Sequence, residues 1–165
     1  MIDPTTLPYR DNVGAVLFNA DGRVFIGRRA NLPAGAPNLG TWQFPQGGID
    51  AGENPRTAVM RELTEEIGTA RAEVMAEHED WLTYDLPPEL LGKVWSGKYR
   101  GQRQRWFALR FTGVDADIRL DAHDEVEFDA WRWAALAEVP ALVVAFKRPV
   151  YAVLARVFAG FAGGN

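Results

Sequence analysis

The chain alternates between segments of two-residue and helical periodicity. Residues 12–18 and 23–28 are β-rich runs flanking Asn19-Ala20-Asp21-Gly22, a pattern that predicts a hairpin closed by an Asp-Gly turn. Residues 30–41 mix Pro and Gly without periodicity and predict a loop. A short extended piece, Trp42-Gln43-Phe44-Pro45, follows it, and then a glycine-bearing loop over 47–53. Asn54 is placed to cap a helix of about 13 residues, with Pro55 at its first position and Gly68 at its stop. At about 100° per residue, Val59, Met60, Leu63 and Ile67 of that helix form an apolar flank, and Glu62, Glu65 and Glu66 an acidic flank beside it. Runs at 73–77, 81–86, 103–111 and 126–133 predict strands. Pro149 opens a second helix in which Val150, Leu154, Val157, Phe158 and Phe161 share a face, and residues 159–165 are expected to fray. Strands interspersed with two amphipathic helices predict an α/β chain, a mixed β-sheet sandwiched between α-helices.

Composition narrows the chemistry. A length of 165 residues with 47% apolar positions predicts a single domain over 1–165, its core spanning about 9–160. The longest apolar runs, 13–18 and 141–146, fall far short of the roughly 20 residues a bilayer span requires, so no membrane is expected as partner. Met1-Ile2-Asp3-Pro4 lacks the basic end and apolar stretch of a signal peptide, which predicts a cytoplasmic location. The absence of Cys removes disulfides, thiolate nucleophiles and Cys-type zinc sites together. His78 and His123 have no ligand-spaced partner, and Ser96, the only serine, sits in no strand-to-helix elbow. Net charge is −4, yet residues 92–105 carry Lys93, Lys98, Arg100, Arg103 and Arg105 with no acid, leaving −9 for the rest. Such a basic stretch reads equally as a solvated loop or as a patch that attracts a polyphosphate or nucleic-acid end.

The acidic flank needs an explanation. Glu62 and Glu66, four apart, cost an isolated helix about 0.2–0.5 kcal/mol, and Glu65 crowds both. A solvated face with Arg61 paired to Glu65 is the plainer account of a bare glutamate cluster. The adjacent Gly47-Gly48 turn adds backbone groups to the carboxylates, and together they offer the oxygen ligands that a hard cation such as Mg²⁺ prefers.

Gly47, five residues, Glu53, seven residues, then Arg61-Glu62-Leu63-Thr64-Glu65-Glu66-Ile67-Gly68 resembles the Nudix box, the signature of hydrolases acting on nucleoside diphosphates linked to another group. The one departure is Thr69, where the pattern takes an aliphatic residue. Outside the box, Tyr9 to Gly14, Trp42 to Ile49, Trp81 to Tyr84, Gly101 to Phe107, Glu127 to Trp133 and Val143 to Arg148 are similar to the bacterial RNA pyrophosphohydrolase and dinucleoside polyphosphate hydrolase branch of that family.

The resemblance implies the Nudix fold and hydrolysis of a 5′-terminal polyphosphate on RNA, leaving a 5′-monophosphate. Asymmetric hydrolysis of diadenosine polyphosphates is the alternative. A non-catalytic RNA-end or nucleotide-binding module is the remote one, since no box carboxylate is lost. Glu62, Glu65, Glu66, the backbone carbonyl near Gln46 or Gly47, and Glu127 from a later strand would bind several Mg²⁺ ions, with Mn²⁺ as a substitute. Glu62 is favoured as general base, with Glu66 and Glu127 as the other catalytic candidates. Glu53 and Arg61 would form an ion pair locking loop to helix. Arg10, Arg29, Gln102, Gln104 and Lys147 would surround the polyphosphate, and Tyr84 would lie near the substrate. Val144 and Phe146 would form an apolar slot for a base, a contact worth about 1–3 kcal/mol, although Val143 to Phe146 reads equally well as core. Trp42 and Trp106 read as core. The implied partner is 5′-polyphosphorylated RNA or a dinucleoside polyphosphate rather than a DNA duplex; protein partners are left open.

Overall fold

The computed structural model describes residues 2–30 and 42–163, so the loop expected at 30–41 lies, from residue 31 on, outside the described residues. In chain order the elements are β1 (Tyr9–Phe18), β2 (Val24–Arg29), β3 (Trp42–Gln43), β4 (Gln46–Gly48), α1 (Pro55–Ile67), β5 (Ala72–Glu77), β6 (Leu82–Asp85), β7 (Gly101–Phe111), β8 (Phe128–Ala134), α2 (Val139–Leu142) and α3 (Arg148–Val157).

β1 is the axis of a mixed sheet with path β3-β2-β1-β7-β5, to which β4 adds on β1, β6 on β7 and β8 on β2. β1 and β7 run parallel from Tyr9↔Gly101 to Phe18↔Arg110, and the other pairings are antiparallel. Strand alternation sorts the side chains into two cores. Val13, Ala15 and Leu17 of β1 with Phe107 and Leu109 of β7 meet Ala58, Val59, Leu63 and Ile67 of α1. Val16 and Phe18 with Trp106 and Ala108 meet Val150, Tyr151 and Leu154 of α3 on the opposite face. The expected sheet between helices is therefore present.

The Asp-Gly turn forms as expected: Gly22 takes φ +75°, and Asn19 Oδ1 accepts from the N–H groups of Asp21 and Arg23 at 3.0 and 2.9 Å. The strands it joins do not continue as a hairpin, because β1 and β2 pair only at Phe18↔Val24. Residues 42–48 enter between them. β3 pairs with β2 at Gly27 and Arg28, Pro45 O accepts from Ala15 N at 2.9 Å, and β4 pairs with β1 at Asn12 to Gly14. The crossing carries the glycine-bearing loop to the middle of β1, against the start of α1.

Several details depart from expectation, beginning with β1, which starts at Tyr9 rather than at residue 12. β7 begins at Gly101, two residues early, which brings Gln102 into the sheet. β8 begins at Phe128, so Glu127 precedes the strand, its carbonyl accepting from Ala30 N at 2.9 Å. On α3 the buried stripe is Val150, Tyr151 and Leu154, continued by Phe158, while Val157, on its edge, is 39% exposed. Residues 159–163 do not fray. Phe161 packs against Phe18 and Phe158 at 5.8 and 6.3 Å between ring centroids, and Gly163 N donates to Gly22 O at 3.2 Å. Four-residue α2 is too short to leave a periodic signal.

Candidate active site

The loop and α1 are joined by one ion-pair network. Asn54 Oδ1 accepts from Arg56 N at 2.8 Å, and Gly68, at φ +79°, ends the helix, so the cap and stop read from the sequence are in place. Arg61, one turn and a half into α1, donates through Nε and Nη2 to both oxygens of Glu53 at 2.8 Å, and through Nη2 to Gly48 O at 3.0 Å. Hydrogen bonds from Arg61, then from the Asp50 backbone, hold the Glu53 carboxyl down at about 2. The remaining Arg61 nitrogen donates to Glu62 at 2.9 Å and to Glu65 at 3.4 Å. One guanidinium thus fastens the loop to the helix and offsets repulsion on the acidic flank.

The carboxylates differ by depth. Glu65 lies outermost, its side chain 35% exposed. Glu62 is half-buried against Gly47, where a Cβ would fall inside the Glu62 carboxylate, so this β4 position must be bare. Burial raises the Glu62 carboxyl, opposed by Arg61 and Arg10. Glu66 is 5% exposed; one oxygen, Oε2, is buried with no hydrogen-bond partner among the described residues, and the Gln46 backbone N–H supports the carboxylate. Burial first, then the charges of Glu127 and Glu62, push the Glu66 carboxyl well above its ordinary 4.5. Among the described residues no three His, Asp or Glu side chains are already gathered as a metal-ligand set. Like charges do not converge unaided, and Arg61 turns Glu62 and Glu65 toward itself. An orphaned buried carboxylate oxygen beside further carboxylates and a bare backbone is nevertheless a donor set that fits a hard divalent cation.

Beside the carboxylates runs a ladder of polar side chains on the α3 face of the sheet. Arg10 Nη1 donates to Gln102 Oε1 at 2.8 Å, and Gln102 Nε2 donates to the Tyr84 hydroxyl at 2.6 Å. Asn12 Nδ2 donates to Gln46 Oε1 at 2.7 Å, and Gln104 Nε2 donates to Asn12 Oδ1 at 2.9 Å. Gln104 Oε1 accepts from Trp106 Nε1 at 3.2 Å, so both ends of its amide are engaged within the sheet. Tyr84 is buried and its hydroxyl is pushed up to about 12 by that burial. Its ring lies 5.6 Å from half-buried Phe146, and Val144 packs alongside the same core. Trp106 is wholly buried, as expected; Trp42 is half-buried under the Arg132 guanidinium.

Lys147 is buried and donates to Gln43 Oε1 at 3.1 Å, with its ammonium 5.5 Å from the Tyr84 ring centroid. Burial, then the Arg29 charge, brings the Lys147 ammonium down to about 7, against the pull of Glu127 and Glu66. Among the described residues, Arg29 Nε and Gln43 Nε2 are buried donors without partners. Two unanswered donors and one unanswered acceptor, Glu66 Oε2, therefore belong to a single neighbourhood linked by Lys147. The sequence singled out neither Gln43 nor Asn12; polar residues at inward strand positions were the available signal. The basic stretch dissolves in part, because Arg100, Arg103 and Arg105 are paired with Asp85, Asp11 and Glu77. Lys93 and Lys98 are its exposed cations.

The NUDIX domain matches residues 8–154. The chain belongs to the NUDIX family. A protein of Gluconacetobacter diazotrophicus named RNA pyrophosphohydrolase is 60% identical over 98% of both chains. One of Rhodospirillum rubrum with the same name is 55% identical over 94% of this chain and 90% of its own. The fold is also similar to that of a Caenorhabditis elegans Ap4A hydrolase, with TM-score 0.62 at 19% identity over 92% of this chain and 98% of that one. Escherichia coli dihydroneopterin triphosphate pyrophosphohydrolase gives TM-score 0.61 at 19% identity, over 87% and 94%. The Nudix box is the loop, Glu53–Arg61 pair and α1 described above. No helix among the described residues is long and apolar enough to cross a membrane.

Proposed function

We propose that this NUDIX chain removes pyrophosphate, or phosphate, from the 5′-terminal polyphosphate of RNA and leaves a 5′-monophosphate, in a reaction that requires Mg²⁺. The observation that carries the reading is the neighbourhood of unanswered groups: Glu66 Oε2 on one side, Arg29 Nε and Gln43 Nε2 on the other, each buried. An anion needing both a cation bridge and N–H donors satisfies all three, and a polyphosphate is such an anion. Identity of 55–60% to relatives named RNA pyrophosphohydrolase supports RNA as the group that carries it.

Glu62, Glu65, Glu66, Glu127 and the Gly47 carbonyl would hold the Mg²⁺ ions, with Mn²⁺ able to replace them. When bound, these ions supply charge neutralisation at phosphate oxygens and an acidified attacking water. Glu62 would accept the proton of the attacking water. Arg61 holds its Oε1 and leaves Oε2 toward Gly47. Arg10, Arg29 and Lys147 meet the phosphate chain, and Gln102 aligns Arg10. Tyr84, Val144 and Phe146 border the base. Gln104, engaged at both amide ends, supports the site through Asn12.

Product analysis on 5′-triphosphorylated RNA beside diadenosine tetraphosphate, at equal concentration with Mg²⁺, tests the reading. Release of pyrophosphate or phosphate from the RNA at the higher kcat/KM is expected. An RNA end that stays triphosphorylated while the dinucleotide is cleaved would assign the site to dinucleoside polyphosphates instead.

A further inference from the structure

Arg10 is held unlike two neighbouring arginines, Arg100 just before β7 and Arg103 at an odd position of β7. Arg100 and Arg103 each spend Nε and Nη2 on one carboxylate, Asp85 and Asp11 respectively. Arg10, among the described residues, has no carboxylate at ion-pair distance. Gln102 accepts from its Nη1 at 2.8 Å, and its guanidinium carbon lies 5.5 Å from the ring centroid of Trp95. Gly48 gives it room, since a Cβ there would overlap the guanidinium.

Trp95 reaches this position through unusual backbone. Trp95 (φ 50°, ψ 40°) and Ser96 (φ 57°, ψ 25°) are the non-glycine residues with positive φ among the described residues, and they are consecutive. Bulky side chains avoid this region, and such outliers persist only where the surroundings over-determine them. Here the turn is closed by Lys98 N donating to Trp95 O at 3.2 Å, and Tyr99 meets the indole edge to face at 6.2 Å. The indole is half-buried, packed on the α3-side core behind and on Arg10 in front.

We propose that Trp95 is a positioning residue: presented by the strained Trp95–Ser96 turn, its ring holds the Arg10 guanidinium beside Gly48 and the carboxylate edge, aligned for the phosphate chain. The proposal rests on the reading of Arg10 as a polyphosphate ligand. A π-face fixes a guanidinium without taking up any of its N–H groups, whereas a carboxylate partner would occupy and neutralise the fork. With Nη1 steadied by Gln102, the remaining N–H groups stay available, and the ordering of a long side chain is complete before the phosphate arrives.

The test compares Trp95→Ala, Trp95→Phe, Arg10→Ala and the Trp95→Ala/Arg10→Ala double variant. KM and kcat are measured on 5′-triphosphorylated RNA, and Kd for inorganic tripolyphosphate by calorimetry. Trp95→Ala is expected to raise KM and Kd about three- to tenfold with kcat nearly unchanged, and Trp95→Phe to recover most of the loss. In the Arg10→Ala background, Trp95→Ala should add nothing. Independent, multiplying effects of the two substitutions would overturn the proposal, as would a Trp95→Ala loss confined to kcat and melting temperature, or an Arg10→Ala variant that binds tripolyphosphate normally. The tripolyphosphate titration needs no turnover, so inactivity of the wild type on RNA would strike the activity reading and leave this proposal to stand or fall on the titration.

Discussion

Replacing Glu66 by Gln should make the protein more stable and much less active. The Glu66 carboxylate is 5% exposed, its Oε2 has no partner, and Glu127 and Glu62 add like charge. A buried charged acceptor left unanswered costs at least about 1–3 kcal/mol, and Gln keeps the shape while removing the charge. In a domain of this length that relief corresponds to a melting temperature higher by about 3–10 °C in EDTA. The effect has a definite pH dependence. Because burial raises the folded-state carboxyl above 4.5, the charge penalty is absent below about pH 4.5 and grows as pH rises toward the raised value. The stability gap between variant and wild type should therefore close near pH 4 and open toward pH 8. Mg²⁺ reverses the order: wild type gains about 2.7 kcal/mol when the ion stands at a hundred times its Kd, and the variant gains far less. Turnover should fall by at least roughly 10². The assay is thermal melting from pH 4 to 8 with EDTA or Mg²⁺, alongside single-turnover rates. Equal melting curves for both proteins in EDTA at pH 8, with turnover retained, would show that the Glu66 charge carries neither the penalty nor the catalytic role.

Three further substitutions probe the same site. Gly47→Ala puts a Cβ inside the Glu62 carboxylate and should cut turnover at least about tenfold while far-ultraviolet circular dichroism stays native; unchanged turnover would show that the close approach is dispensable. Glu53→Gln addresses the acid limb. Glu53 has its folded-state value depressed from 4.5 to about 2, so its stabilisation is complete above about pH 4.5 and lost as pH falls toward 2. Wild type should lose melting temperature over that window more steeply than the variant, and parallel acid limbs would count against the Arg61 lock. Lys147→Met should weaken binding of 5′-triphosphorylated RNA and, without substrate, stabilise the fold at neutral pH. The Lys147 ammonium drops from 10.5 to about 7 on folding, so the penalty is absent above about pH 10.5, grows as pH falls, and is complete below about 7. A wild-type stability that does not fall relative to the variant between pH 10 and 7 would contradict this.

Local signals carried the box and lost the depth around it. Asn54, Pro55 and Gly68 delimit α1 because capping and left-handed termination are short-range chemistry, and the structure places them as expected. The helical wheel put Glu66 at the seam of acidic and apolar flanks. Its near-complete burial depends on β4 lying across the helix, a tertiary placement no local pattern encodes. Likewise the Asp-Gly turn was legible, but the divergence of β1 from β2 follows from residues 42–48 entering between them, twenty residues farther along the chain. The parallel β1–β7 register joins positions 92 apart and is set by the two cores rather than by any turn. The basic stretch stays open between loop and patch in the sequence because its partners are distant along the chain: Asp11, Glu77 and Asp85 reach Arg103, Arg105 and Arg100 from other strands. Trp95 and Ser96 were invisible as a left-handed turn because the sequence signal for positive φ is glycine, and each such residue costs about 1–3 kcal/mol that only the folded surroundings can offset.

If the site binds a divalent cation, the Glu66 oxygen left unpaired among the described residues is its anchor. Crystals grown with Mn²⁺ and measured at its absorption edge test it directly. An anomalous peak about 2.1 Å from Glu66 Oε2, with a second carboxylate oxygen in its coordination, is the result expected. A map with no peak within reach of Glu66, and that carboxylate still dry, would mean that Glu66 anchors no cation.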